Sequence, residues 1–469
     1  MVIGIDQPSL PMEGALPPEL QGTLLRVGPL PAWAGAGDLA RGGEPEHGGV
    51  EDSGETEGEG EGLESVTPWV SGGRGALHAV ELRDGKAVSY RWHDSAAYAT
   101  VFWHAGSVLA LPEAGLPSQY SRLLQPEEFA GGLTVPVASH VHRVAADGAR
   151  VLFSVDDGAG RPVGDDGETT EEIWLRIGEW DAAGALRSTQ SVELERATWQ
   201  HDIGITAGHV VFIESPTTRL AEPNGAQVPF GYVPGAEGWL GVVARGGDGS
   251  GVRWFRLDPC LVTHVLGAWE ETGRDGEVEI VLYVCRYDVP EEGQPVDLSV
   301  SVVAPAGVGL VPIGGSLAVL ERWRVVGDQL ERVQVDDRNV EYPRLDALCE
   351  GERFRYGYSA EVAWGAAPDE VVPVGLLKFD LQRDELAAAW SPGRWRRASE
   401  PLFVRALDGH ADDEGWLLTV VDDANTGTSD LYVLDASSMG RHGPEAVIHL
   451  PVSLPFRSHG EWVPADRYR

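Results

Sequence analysis

The 469-residue sequence predicts an all-β protein, and three features carry that expectation. Two-residue turn signals recur between short runs of β-branched and aromatic residues: Asp84-Gly85 parts HAVEL from AVSYRW, and Asp147-Gly148 parts His142-Arg143-Val144 from RVLFSV. Long amphipathic helical patterns are scarce. Many short antiparallel strands in a chain of this length cannot close as one small barrel, which leaves a pair of sandwiches or a β-propeller. No strict repeat of the WD or kelch kind decides between the two.

In chain order, LQGTLLRVGPLPAW (Leu20 to Trp33) reads as a strand closed by Gly28-Pro29. From about 35 to 65 the chain is acidic and of low complexity, including GVEDSGETEGEGEGLES, with almost nothing apolar to bury. A disordered, solvated insert is expected there. After the two hairpins, the same grammar returns in LAVLERWRVVGDQLERVQV, in GLLKFDLQRDELAAAW and in GWLLTVVDD, which turns through Asn425-Thr426-Gly427 into DLYVLDA. Residues 1–469 are thus expected to form one domain carrying one insert. The uncharged run Leu298 to Leu320 has the length of a membrane span, but Pro305, Pro312, Gly307, Gly309, Gly314 and Gly315 interrupt it. It reads as an apolar loop or short helices lining a cavity, or as a patch in peripheral contact with a membrane.

Composition narrows the function. A net charge of −37 repels phosphate backbones and excludes nucleic acid as the expected partner. Cys260, Cys285 and Cys349 are odd in number and widely spaced, which argues against a disulfide framework or a thiolate metal site and fits a reducing cytoplasm. The start, MVIGIDQPSLPMEG, has no basic region followed by an apolar core, so no signal peptide is expected. Nothing in the sequence reports an oligomeric state.

The chemistry centres on Trp254 to Glu271, WFRLDPCLVTHVLGAWEE, where His264 stands in an apolar run after the Asp258-Pro259 break. A buried imidazole needs partners for both ring nitrogens; a metal on one and a carboxylate on the other supply them, as does ordinary core hydrogen bonding. His140 in SHVHRVAADG, His201 in QHDIGIT and His459 in FRSHGEW share this kind of context. A site built from such distant positions requires a fold that brings remote segments to one axis, as a propeller does.

The ordered set LQGTLLRVGP, GSVLALPEAGLP, SHVHRVAADG, QHDIGIT, RWFRLDPCLVTHVLGAWEE, LERWRV, EYPR, RYGYSAE, SEPLFV, SDLYVLDA and FRSHGEW resembles the carotenoid cleavage oxygenases, with their retinoid isomerase and stilbene-cleaving branches, over nearly the whole chain. The resemblance implies a seven-bladed β-propeller with a dome of loops and short helices over an axial metal site. It implies Fe(II) held by four histidines, here His140, His201, His264 and His459, with His142 the competitor for the first position. It places glutamates behind the ligands at Glu113, Glu341 and Glu400. Such carboxylates orient imidazoles and offset the ion's charge, although each could instead pair with an arginine such as Arg344 or Arg405.

The implied activity is dioxygen insertion across one C=C bond of a carotenoid, apocarotenoid or related conjugated alkene, giving two carbonyl products. A metal-dependent polyene isomerase and a non-catalytic binding propeller are the alternatives. Phe102, Trp103, Trp199, Trp254 and Trp269 are candidate tunnel walls. The chain departs from the family pattern at Pro112, where the stilbene-cleaving branch has a phenol-activating lysine. It departs also at Val27, at PWVSGGRGALHAV and at Gly267-Ala268. The first of these disfavours a stilbenoid substrate.

Overall fold

The computed structural model describes residues 2–5, 9–28, 32–33, 74–96, 98–112, 114–129, 136–156, 172–219, 230–274, 276–289, 296–297, 316–365, 371–454 and 459–465. The acidic insert, Glu113 and residues 298–315 of the apolar run lie outside them. No α-helix occurs among the described residues, and no helix there is long and apolar enough to cross a membrane.

The strands form the seven blades of a β-propeller. Blade 1 runs outward through Gly460–Pro464, Gly22–Gly28, Arg74–Arg83 and Lys86–Ala96; blade 2 through Thr100–His104, Ser107–Leu111, Ser118–Tyr120 and Pro126–Glu127. Blade 3 comprises His142–Arg143, Arg150–Asp156, Ile173–Trp180 and Leu186–Leu194; blade 4, Gly204–Ile205, His209–Glu214, Gly238–Ala244 and Arg253–Leu257. Blade 5 is built from Cys260–Thr272, Val278–Asp288, Val319–Val326 and Gln329–Arg344. That last strand is long enough to leave blade 5 and continue, at residues 340–344, as the innermost strand of blade 6, with Tyr356–Trp364, Val371–Asp380 and Glu385–Trp390 outside it. In blade 7, Leu402–Arg405 pairs with Gly415–Asp423, followed by Thr428–Asp435, Ala446–His449 and Met12–Gly14. The ring is therefore closed twice: an early strand completes blade 7 and a late strand completes blade 1.

The turns form where the sequence places them. Asp84 (φ 52°) and Gly85 (φ 70°) both adopt the left-handed conformation that a two-residue hairpin turn requires. Gly148 (φ 74°) and Gly427 (φ 66°) supply one such residue in the other two turns, which are longer than two residues. The Val144 amide donates to the Ala149 carbonyl across the first, so the two-residue turn expected at Asp147-Gly148 is a four-residue loop, and the pairing of Asp423 with Thr428 closes the second.

Both faces of most blades are buried, because each blade packs against two neighbours. Successive residues of one strand therefore enter different cores. Leu24 packs with Leu418, Leu431 and Ile448 of blade 7, whereas Leu25 packs with Val101, Val108 and Ala110 of blade 2. Val281 faces Val340 and Phe379 of blade 6, and Leu282 faces Val211 and Leu240 of blade 4. The strands accordingly read as continuous apolar runs more than as strict alternation.

Between blades 2 and 3, His104 lies buried and stacked on Trp180, with ring centroids 5.9 Å apart. Burial, reinforced by the Arg150 guanidinium, lowers its pKa to about 4. The unfolded chain takes up this proton near 6.5 and the folded chain only near 4, so stability must rise with pH across that window. Its full contribution is about 3 kcal/mol. His104→Phe, which keeps a ring on Trp180, is expected to flatten the unfolding free energy between pH 4 and 6.5; an unchanged slope would refute this role.

Candidate metal centre

The innermost strands of blades 1, 2, 3, 5, 6 and 7, with Asp202 just ahead of that of blade 4, line an axial cavity of about 390 Å³. At one end of this bundle four histidines meet. His459 immediately precedes the inner strand of blade 1, His140 lies two residues before that of blade 3 and His201 three residues before that of blade 4. His264 lies within the inner strand of blade 5, where the pairing slips on both sides of Val265; such a bulge re-aims a side chain out of the ladder.

The imidazole centroids of His140 lie 4.6 Å from those of His201 and His459 and 5.0 Å from that of His264. Nε2 of His140 is 3.2 Å from Nε2 of His201, and Nε2 of His264 is 3.2 Å from Nε2 of His459. The ligand atoms of His140, His264 and His459 all fall within 4.8 Å of one another.

The other ring nitrogens fix which atoms can face the centre. His264 Nδ1 is 2.5 Å from Glu341 Oε2, and His459 Nδ1 is 2.7 Å from Glu400 Oε1. Each Nδ1 therefore carries the proton, and each Nε2 presents a lone pair. Burial lowers the pKa of His459 to about 4, against the opposing pull of Glu400, and drives that of His140 well below its ordinary value. Two neutral imidazoles whose Nε2 lone pairs face each other at 3.2 Å repel unless a cation stands between them. Metal–nitrogen bonds of about 2.0–2.1 Å at right angles put ligand nitrogens about 3 Å apart, which matches the spacing found. The donor set thus fits a metal ion.

Glu341 is held by three further contacts: Thr263 Oγ1 donates to it at 2.7 Å, the Tyr287 hydroxyl donates to the same oxygen, and the Tyr342 amide reaches Oε2 at 3.2 Å. Glu400 accepts from Arg344 Nε at 2.6 Å and from the Gly460 amide at 2.9 Å. Burial works to raise both carboxyl pKa values, but the neighbouring His264, and for Glu400 the neighbouring Arg344 and His459, hold them below the usual range. Glu400 therefore pairs with an arginine and with a histidine at once, whereas Arg405 pairs elsewhere, with Asp346 at 2.6 Å.

His142 does not join the cluster. Its Nε2 is 2.8 Å from Asp202 Oδ1 and its Nδ1 is 2.6 Å from Glu350 Oε1, so both nitrogens are consumed and its pKa rises to about 10: burial opposes this, and the two carboxylates prevail. Among the proposed tunnel aromatics, Trp199 lies 5.1 Å from the His201 ring and Phe102 lines the axial cavity. Trp103 and Trp269 pack in inter-blade cores, and Trp254 is surface-exposed. Sequence reasoning passed over Tyr342, whose ring centroid lies 5.4 Å from that of His264 and 5.3 Å from that of His459. Its φ of 53°, directly before Pro343, is a rare setting for an aromatic residue.

Four imidazoles meeting at the centre of a seven-bladed ring, two of them backed by carboxylates, define a propeller with a candidate metal centre. Residues 81–464 match the family model for RPE65, retinal pigment epithelial membrane protein, and the chain belongs to that family. It is an enzyme of the carotenoid-oxygenase class, as its relatives' names attest. Isoeugenol monooxygenase from Pseudomonas putida is 27% identical over 398 residues, spanning 78% of this chain and 74% of that protein. A carotenoid cleavage oxygenase of Mycobacterium tuberculosis is 24% identical, covering 97% of this chain and 94% of its own. Among solved structures, a variant of Synechocystis apocarotenoid oxygenase superposes with a TM-score of 0.74 at 20% identity, over 99% of this chain and 96% of that one. The lignostilbene dioxygenase of Pseudomonas brassicacearum does so with a TM-score of 0.74 at 22% identity, over 97% and 95%. The structural likenesses establish a common fold.

Proposed function

We propose that the chain is a non-haem iron dioxygenase that cleaves one C=C bond of a carotenoid, apocarotenoid or related conjugated alkene into two carbonyl products. The observation that carries this reading is the convergence of imidazole Nε2 atoms, with the Nδ1 atoms of His264 and His459 tied to Glu341 and Glu400. His140, His201, His264 and His459 would hold Fe(II), with Glu113 as a third supporting carboxylate. When bound, the metal supplies dioxygen activation, one oxygen atom going to each carbon of the broken double bond.

The protein's own part is orientation and exclusion of water. Glu341 and Glu400 lock the ring planes of their histidines. The rings of Trp199 and Tyr342 stand against the imidazoles and would offer apolar faces to an alkene held beside the metal. Neither of the two lysines serves to ionise a phenol beside the metal. Lys86 begins an outer strand of blade 1, and Lys378 donates to Asp413 at 2.5 Å and to the Ala436 carbonyl. With Pro112 at the position of the stilbene branch's lysine, this favours polyenes over hydroxystilbenes.

Iron-loaded protein supplied with labelled dioxygen and a panel of polyenes and hydroxystilbenes is expected to yield polyene aldehydes or ketones labelled in both products. Geometric isomers without label would instead make the protein an isomerase.

A further inference from the structure

Two histidine ligands have a glutamate directly behind them in the described residues; the first, His140, has a different arrangement. Among the described residues the carboxylate that faces it is Asp202, whose Oδ2 stands 4.0 Å from His140 Nδ1, beyond hydrogen-bond reach. Asp202 is buried, and its two oxygens are committed elsewhere. Oδ1 accepts from His142 Nε2 at 2.8 Å and from the Ile203 amide at 2.8 Å. Oδ2 accepts from the Val265 amide at 2.7 Å.

Each of these donors lies one or two residues from a different proposed ligand. His142 follows His140 on the inner strand of blade 3, Ile203 follows His201 at the entry to blade 4, and Val265 follows His264 at the bulge in blade 5. Behind His142 stands Glu350, at 2.6 Å from its Nδ1 and 2.7 Å from the Arg143 amide, which fixes the far side of the same imidazole.

We infer that Asp202 is the positioning residue of the metal centre: a single carboxylate that ties the segments bearing His140, His201 and His264 to one another and sets the point at which their rings meet. This rests on the metal reading proposed above. The physical reason for a carboxylate is its supply of acceptors only. All three groups that it meets are donors, and an amide of the same shape must turn its NH2 toward at least one of them. Ligand sets need their rings held to within about 0.5 Å, and Asp202 bonds to a residue beside each of three rings carried by separate blades.

The test uses Co(II) and Fe(II) binding to the full chain, read by affinity and by the visible spectrum of the cobalt-saturated protein. D202N is expected to weaken cobalt binding roughly 10–100-fold and to shift the ligand-field bands at saturation, which a loss of general stability would not do. E350Q, whose hydrogen bond to His142 leads on to Asp202, is expected to act in the same direction but less. The double variant is expected to be no worse than D202N alone. Wild-type affinity and an unaltered cobalt spectrum in D202N would overturn the assignment. Should D202N fail to fold, the same two readings unchanged in E350Q would overturn it. A wild-type protein that binds neither metal refutes the metal reading itself, an outcome distinct from either.

Discussion

His264→Ala is expected to abolish both metal binding and alkene cleavage. The wild-type protein should carry close to one iron per chain, and the variant should carry little after dialysis. Metal activation contributes several kcal/mol to such a reaction, so activity should fall on the order of 10³-fold or more. His264 is the proposed ligand for which the surrounding structure does most: the bulge of its strand aims the ring, Glu341 fixes its Nδ1, and Thr263 and Tyr287 fix Glu341. Elemental analysis and product yield on one preparation check the expectation. A folded H264A protein that keeps stoichiometric iron and full turnover would refute the proposed coordination.

The second large effect is expected on stability. Glu400 is fully buried, and its oxygens meet His459 Nδ1, Arg344 Nε and the Gly460 amide, with the buried Arg26 guanidinium close enough to lower its pKa further. Glu400→Ala removes the negative charge from this set and leaves a guanidinium and two N–H groups facing a void. Breaking a buried ion pair from one side costs about 3–5 kcal/mol, a large share of the net stability of an ordinary domain. Glu400→Gln keeps the shape and one acceptor and should cost less. Denaturant titration of both variants, in metal-free form, checks the order. A midpoint for Glu400→Ala equal to that of the wild type would show that blade 1 is anchored to blade 7 by other means.

The hairpins were readable because Asp-Gly and Asn-Thr-Gly report a local backbone requirement, φ above zero, that needs no tertiary knowledge. The blade number was not readable from strand patterns. Burial on both faces erases much of the alternation, and the strand Gln329–Arg344 serves two blades, so element counting alone loses one. His140, His201, His264 and His459 could be singled out because each stands in a short motif beside or within an innermost strand. Of the pair His140 and His142, the first stands among the imidazoles and the second is enclosed by two carboxylates. Glu350 could not be found this way: it lies 208 residues from its imidazole partner, in a turn with no composition of its own. Asp202 was in view within QHDIGIT, but its three donors become visible only when blades 3, 4 and 5 are assembled.

The double closure of the ring has a bearing on biosynthesis. One proposed ligand, His140, belongs to the third blade, whereas His459 belongs to a segment that reaches its place only when Gly460–Pro464 docks beside Gly22–Gly28. A nascent polypeptide that has emerged through six blades already holds three of the imidazoles, yet their surroundings lack the fourth side. On the proposed coordination, the full set of four imidazoles would exist only once the circle is joined, and a ribosome-stalled or truncated product would lack a complete metal site.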